Sequence, residues 1–198
     1  MLQMTGVILA GGQSRRMMKK NKAFLKLGNR SIIERVVETL GSVFPKVMIV
    51  ANAVEEYQSC GCGVVSDLLP ISGALTGLLS GLSQSPTRYN FFVACDMPFL
   101  SSDLIRYLAC QAEGWDVLIP RIAGCYQPLH AIYSKDCMPA IVQQLREGNQ
   151  TIFDFFPEVK VKEICEDDIR QIDHELISFF NLNTPQDLQR ARDIYATF

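Results

Sequence analysis

The chain has 198 residues, 48% hydrophobic and 20% charged, with 13 Gly and 9 Pro, which is the make-up of a globular protein and excludes the disordered and fibrous classes. Lysine and arginine total 19 against 21 acidic residues, a formal net charge of −2, so a protein built to coat nucleic acid is excluded and any basic site must be local. No run approaches the roughly 20 consecutive apolar residues of a membrane span, and the length suits a single domain over 1–198 with a core of its own. The seven cysteines, Cys60, Cys62, Cys95, Cys110, Cys125, Cys137 and Cys165, form an odd set without a CxxC pair, and the only histidines are His130 and His174. A reduced compartment follows, and the N-terminal segment has neither a basic flank nor a small-residue cleavage site, so a cytoplasmic protein is expected. Cys60-Gly61-Cys62 lacks a second ligand cluster and reads as a loop rather than a soft-metal site.

In chain order, short apolar β-branched runs at Gly6–Ala10, Lys46–Ala51, Gly63–Ser66, Phe91–Cys95 and Asp116–Pro120 predict buried strands of a parallel sheet. Helical stretches alternate with them. Ser31-Ile-Ile-Glu34 is a capping box opening a helix to about Leu40, ahead of Pro45. Further helices are predicted over Ala74–Ser83, Ser102–Glu113 and Lys135–Glu147, and Thr184-Pro185 supplies an N-cap and a first-turn proline for a last helix through Tyr195. Gly73, Gly77 and Gly81 recur one turn apart, a spacing that lets a helix lie tightly on a sheet. This alternation predicts an α/β fold, a doubly wound, mostly parallel sheet with helices on both faces in three layers.

In such sheets ligands bind beyond the carboxyl ends of the strands. The first predicted strand runs into Leu9-Ala10-Gly11-Gly12-Gln13-Ser14-Arg15-Arg16-Met17, followed by Lys19, Lys20 and Lys22. Paired glycines let the backbone turn and present N–H groups to an anion, and the cations neutralise phosphate oxygens, so a polyphosphate fits this loop. Its spacing is neither GxxxxGK[ST] nor GxGxxG, so neither a Walker-type NTPase nor a dinucleotide fold is indicated. The plain alternative is a solvated basic loop. Other strand ends supply Asn52, Asp67 and Asp96. Asp96, held between an apolar strand and Met97-Pro98, is placed to bind Mg²⁺ carried by phosphates, with a turn or capping Asp as the alternative. Asp67, followed by Pro70 and Gly73, is equally ordinary turn chemistry.

Leu9-Ala10-Gly11-Gly12-x-Ser14-x-Arg16-Met17 with Lys22, Asp67-x-x-Pro70-x-x-Gly73, Asp96-x-Pro98 and Asn181-x-Asn183-Thr184-Pro185 together resemble the molybdenum cofactor guanylyltransferases, the MobA family of the nucleotidyltransferase superfamily. The resemblance spans nearly the whole chain. It implies a Rossmann-like nucleotidyltransferase fold in which Leu9, Ala10, Gly11 and Gly12 line the nucleotide, Arg16 and Lys22 contact its phosphates, Asn52 and Asp67 hold the guanosine, and Asp96 binds Mg²⁺. Arg16, Lys22 and Asp96 would be the catalytic set. Leu-Ala-Gly-Gly goes with guanine, whereas related cytidylyltransferases carry Leu-Ala-Ala-Gly, so GTP is expected over CTP. Gln127, His130, Asn181 and Asn183 match segments on the pterin side. Read from the sequence alone, His130 inside an apolar run is more often a core residue, and the plain alternative for Asn183 before Thr184 is the end of a strand ahead of a helix. The chain departs from the family at Met18, where a Gly is usual, at Asn21, where an Asp is usual before Lys22, and at Ala74, commonly Pro.

The implied reaction is transfer of GMP from GTP to molybdopterin with release of pyrophosphate, and partner proteins would be other cofactor-biosynthesis proteins or molybdoenzymes. The attacking phosphate oxygen is already an anion, so positioning and charge stabilisation suffice without a protein nucleophile. Two rivals stay open at this point: another nucleotidyltransferase, CTP-dependent or with a sugar-phosphate acceptor, and a nucleotide-binding regulator without turnover.

Overall fold

The computed structural model describes residues 3–10, 16–17, 20–68 and 73–197, with residues 16, 17 and 20 described through their main chain. The strands are β1 (Met4–Leu9), β2 (Arg16–Met17), β3 (Lys20–Asn21), β4 (Lys26–Leu27), β5 (Arg30–Ser31), β6 (Lys46–Val50), β7 (Gly63–Val65), β8 (Tyr89–Ala94), β9 (Val117–Ile122), β10 (Cys125–Tyr126), β11 (His130–Ser134) and β12 (Val161–Ile164). The helices are α1 (Ile32–Gly41), α2 (Ala74–Gln84), α3 (Ser102–Cys110), α4 (Met138–Arg146), α5 (Glu166–Arg170) and α6 (Pro185–Tyr195). An eight-stranded sheet has the order β10-β9-β11-β8-β1-β6-β7, with β12 alongside β9; β2-β3 and β4-β5 are separate small hairpins. β1 pairs in parallel with both β6 and β8, β6 in parallel with β7, and β9 in parallel with β12. Only β11, antiparallel to β8 and β9, and the short β10 run against this direction.

The five predicted strands are present with ends shifted by one or two residues, and the α/β, mostly parallel architecture holds. The sequence reading did not include β10, β11, β12 or the five-residue α5. The helix expected over Ser102–Glu113 stops at Cys110, and the one expected from Lys135 starts as a 3-10 turn, Lys135–Cys137, before α4.

Strand alternation divides the core into two layers. Met4 and Ile8 of β1 and Phe91 and Val93 of β8 join Ile32, Val36 and Leu40 of α1 and Leu104, Ile105 and Leu108 of α3 on one face. Val7, Leu9 and Phe92 turn the other way, onto Leu75, Leu78 and Leu82 of α2 and Ile141 of α4. The glycine spacing in α2 has the effect expected of it at Gly81, where a Cβ would stand 2.6 Å from the Phe92 ring and 2.9 Å from Val7. Both predicted capping devices form: the Ser31 side chain accepts from the Glu34 amide while Glu34 reaches back, and Thr184 and Asp187 do the same at the start of α6.

Candidate functional site

The parallel strands end together. The Ala10 amide continues from β1 to Val50 O at 2.9 Å, Ala51 N donates to Val65 O at 2.9 Å, and Cys95 N donates to Leu9 O at 3.2 Å. Beyond these ends lies a cavity of about 280 Å³. Its described wall takes Leu9 and Ala10 from β1, Val50 and Asn52 from β6, Asp67 after β7, and Ala94, Cys95 and Asp96 from β8. Gly73, Ala74 and Gly77 of the α2 start, Leu129 ahead of β11, Asn21 and Lys22, and Asn181 and Asn183 close it.

Lys22 follows β3 in a 3-10 turn, Lys22–Phe24, capped by Asn21, whose side chain accepts from the Ala23 amide at 3.1 Å. The Asn21 amide nitrogen donates to Glu56 at 2.7 Å and to the Tyr57 hydroxyl at 2.9 Å. An Asp here would have no N–H to give and would face the Glu56 carboxylate, which accounts locally for this departure from the usual acid. Lys22 is 6% exposed, and its Nζ donates to the Asn183 carbonyl at 2.9 Å.

Asp96 is half-buried at the rim, and its main-chain carbonyl accepts from Leu182 N at 3.0 Å. Burial pushes its carboxyl above the ordinary aspartate value, and the Lys22 ammonium opposes that shift. The two groups therefore act on each other electrostatically, one from the turn after β3 and one from the end of β8. Among the described residues no group of three His, Cys, Asp or Glu side chains is gathered for a metal. The oxygen donors in the wall, Asp96, Asp67 and asparagine amides, suit instead a hard cation that keeps waters and is shared with substrate phosphates, which is how Mg²⁺ is commonly held.

Of the residues singled out in the sequence, the cavity brings together Leu9, Ala10, Lys22, Asn52, Asp67, Asp96, Asn181 and Asn183. Gly11 and Gly12 lie outside the described residues, as do Met18 and Pro70, and Arg16 is described through its main chain only. Gln127 and His130 are not brought to the cavity wall. Gln127 sits in the turn from β10 to β11, donating its amide to Pro120 O at 3.0 Å and its side chain to Cys125 O at 3.4 Å. His130 is wholly buried on the α1 and α3 face, edge-on to Phe91 with ring centroids 5.2 Å apart and 4.5 Å from Phe179. Within β11 successive side chains alternate, and the first, His130, falls on the face of Phe91 and Val93, opposite Ala131. Sequence reasoning placed Leu129 only as part of the segment from Gln127 to Ala131 matched to the pterin side, and gave no site role to Asn21 or Gly77; the one available signal for these two was Asn21 as a cap immediately before Lys22.

The family model of the MobA-like NTP transferase domain matches residues 6–161. A relative from Pelotomaculum thermopropionicum named "Probable molybdenum cofactor guanylyltransferase" is 43% identical over 97% of this chain and 93% of its own length. One from Desulfosudis oleivorans named "Molybdenum cofactor guanylyltransferase" is 37% identical over 94% of this chain and 93% of its own. The crystal structure of molybdopterin-guanine dinucleotide biosynthesis protein A from Archaeoglobus fulgidus superposes with a TM-score of 0.85 at 26% identity, covering 98% of this chain and all of that one. By sequence and by fold, the chain belongs to the MobA-like nucleotidyltransferases, the molybdenum cofactor guanylyltransferase family.

Proposed function

We propose that the protein, acting as a single domain over 1–198, transfers GMP from GTP to the terminal phosphate of molybdopterin and releases pyrophosphate. The observation that carries this reading within the site is the meeting of Lys22 and Asp96 in one cavity beyond the carboxyl ends of β1 and β8. In this assignment Leu9 and Ala10 line the nucleotide together with Gly11 and Gly12, Asn52 and Asp67 hold the guanosine, and Asn181 and Asn183 face the pterin. Asp96 holds Mg²⁺, which when bound neutralises charge on the triphosphate. Lys22 and Arg16 supply positive charge to the α-phosphate and to the departing pyrophosphate, whose negative charge grows in the transition state. The wall fixes the α-phosphate in line with the incoming phosphate oxygen, and no proton need be taken from that oxygen. His130 and Gln127, away from the cavity, take no part. The protein works in the cytoplasm, where its partners are other cofactor-biosynthesis proteins or molybdoenzymes.

Incubation with GTP, Mg²⁺ and molybdopterin, assayed for pyrophosphate and for the guanine dinucleotide, tests the reading; both products are expected, with CTP and ATP poorer donors. Equal turnover of CTP would move the chain to the cytidylyltransferases. Binding of GTP with no product from molybdopterin would leave a nucleotide-binding regulator.

A further inference from the structure

We infer that Asp187, which lies outside the cavity wall, is a positioning residue for Lys22 and acts through the peptide that joins Asn183 to Thr184. The inference rests on the phosphate role given to Lys22 above. The stretch from Phe180 to Asn183 has no regular structure, so the direction of its carbonyls is set by individual bonds. Leu182 N is tied to Asp96 O at 3.0 Å. Asp187 Oδ2 accepts from Asn183 N at 2.9 Å and from Thr184 N at 2.7 Å.

The second of these bonds matters most. The Thr184 N–H and the Asn183 C=O belong to one planar peptide unit, in which they point in opposite directions. A carboxylate that fixes the N–H on one side fixes the carbonyl on the other, and that carbonyl is the group that receives Lys22 Nζ at 2.9 Å. The result is an aligned series of anion, peptide dipole and cation, in which each bond polarises the next. The Lys22 charge is in turn felt at Asp187, whose carboxyl is held below the ordinary aspartate value chiefly by the Thr184 amide and hydroxyl.

The same helix start contains its own control. Thr184 Oγ1 accepts from Asp187 N at 3.1 Å, a cap of α6 made by the side chain and separate from the Thr184 N–H that Asp187 Oδ2 holds. Thr184→Ala keeps the Thr184 N–H and loses only the hydroxyl, so it should weaken the helix start and slow the rate less than Asp187→Ala, which should weaken the helix start and lower the rate.

The test is a steady-state comparison of Asp187→Ala, Thr184→Ala, Lys22→Ala and the Asp187→Ala/Lys22→Ala double variant, with a thermal melt of each. Asp187→Ala is expected to lower kcat/KM for GTP about tenfold, comparable to losing one hydrogen bond to a charged group. Thr184→Ala, which keeps the Thr184 N–H, should lose less than Asp187→Ala, Asp187→Glu should recover most of the loss because Glu also closes a capping box, and the double variant should be no slower than Lys22→Ala. Should Asp187→Ala not fold, Asp187→Asn, which keeps an acceptor oxygen and loses the charge, takes its place in the cycle. A Lys22→Ala enzyme with parental rates overturns the reading of Lys22 and the inference with it. A slow Lys22→Ala beside an Asp187 variant no slower than Thr184→Ala, or a double variant whose losses multiply, overturns the inference alone.

Discussion

The main-chain carbonyl of Asp96 accepts a hydrogen bond from the Leu182 amide at 3.0 Å. This main-chain link joins the end of β8 to the segment that carries Asn181 and Asn183, and it does not depend on the Asp96 side chain.

Asp96→Ala should therefore keep the fold and lose the chemistry. The carboxyl is already disfavoured by burial, which raises its pKa, so removing it relieves a desolvation cost and the melting temperature without ligand should hold or rise. Turnover with Mg²⁺ should fall about a hundredfold or more, as when a stabiliser of transition-state charge is removed. The ionised form binds the cation, so in the parent the acid limb of kcat/KM should lie above 3.8, the ordinary aspartate value. A near-normal rate in Asp96→Ala would move the metal elsewhere, with Asp67 the next candidate.

Lys22→Ala should lower kcat/KM by roughly ten- to a few hundred-fold, from the loss of a charge-assisted hydrogen bond of about 1.5–3 kcal/mol at 1.36 kcal/mol per factor of ten. Lys22 is buried and anchored on Asn183, so salt should change this loss little. Lys19→Ala and Lys20→Ala are the comparison: if their charges are those of a solvated basic loop, the plain alternative read from the sequence, salt screens them and replacing either should cost little at moderate salt. Kinetics of the three variants at two salt concentrations decide it, and equal, salt-sensitive losses at all three would remove any specific role for Lys22.

The parts of this structure that are local in sequence were legible. Ser31 with Glu34 and Thr184 with Pro185 marked two helix starts correctly, because a cap is a short-range hydrogen-bond pattern. The β-branched runs marked the parallel strands, and the residues after them, Asn52, Asp67 and Asp96, lie in one cavity as the fold class requires. What escaped depends on distant partners. β11 is held between β8 and β9, and nothing within His130–Ser134 says that the strand runs antiparallel. β12, Val-Lys-Glu-Ile, owes its existence to the edge of β9. The Lys22 contact spans 161 positions. At Lys135 a helical pattern was present, yet the regular helix begins at Met138, beside Pro139, a residue suited to a first turn because it lacks an N–H.

Gly81→Ala tests how closely α2 lies on the sheet. A methyl group there would stand 2.6 Å from Phe92 Cε1 and 2.9 Å from Val7 Cγ1, and both side chains are wholly buried. Overpacking of this kind costs about 1–3 kcal/mol, against the roughly 1 kcal/mol that Ala gains over Gly within a helix. Net destabilisation is expected in urea unfolding. Gly77→Ala, whose added carbon would meet Leu9 at 3.4 Å, should be milder; a stabilised Gly81→Ala protein would show that the helix can lift off the sheet without cost.

His130 makes stability depend on pH. The ring is wholly buried between Phe91 and Phe179, and neither nitrogen makes a hydrogen bond of good geometry. Burial pushes its pKa down to about 3 from 6.5, and the neighbouring Ser178 backbone opposes this only in part. In the unfolded chain the ring takes a proton below pH 6.5, whereas the folded protein keeps it neutral until about pH 3. The unfolded state thus binds more protons throughout that interval, so stability is retained above it and lost as pH falls through it, by up to about 1.4 kcal/mol per pH unit. Between pH 7 and 5 the loss from this one residue should be roughly 2 kcal/mol. His130→Leu removes the titration, and although it changes packing at both pH values alike, the difference between its unfolding free energies at pH 7 and pH 5 should be smaller than the parent's by that amount. Because His130 stands away from the cavity, the variant should also retain GTP turnover at pH 7. Denaturant melts at the two pH values decide the first point, and an equal acid loss in parent and variant would mean that His130 is already protonated in the folded core.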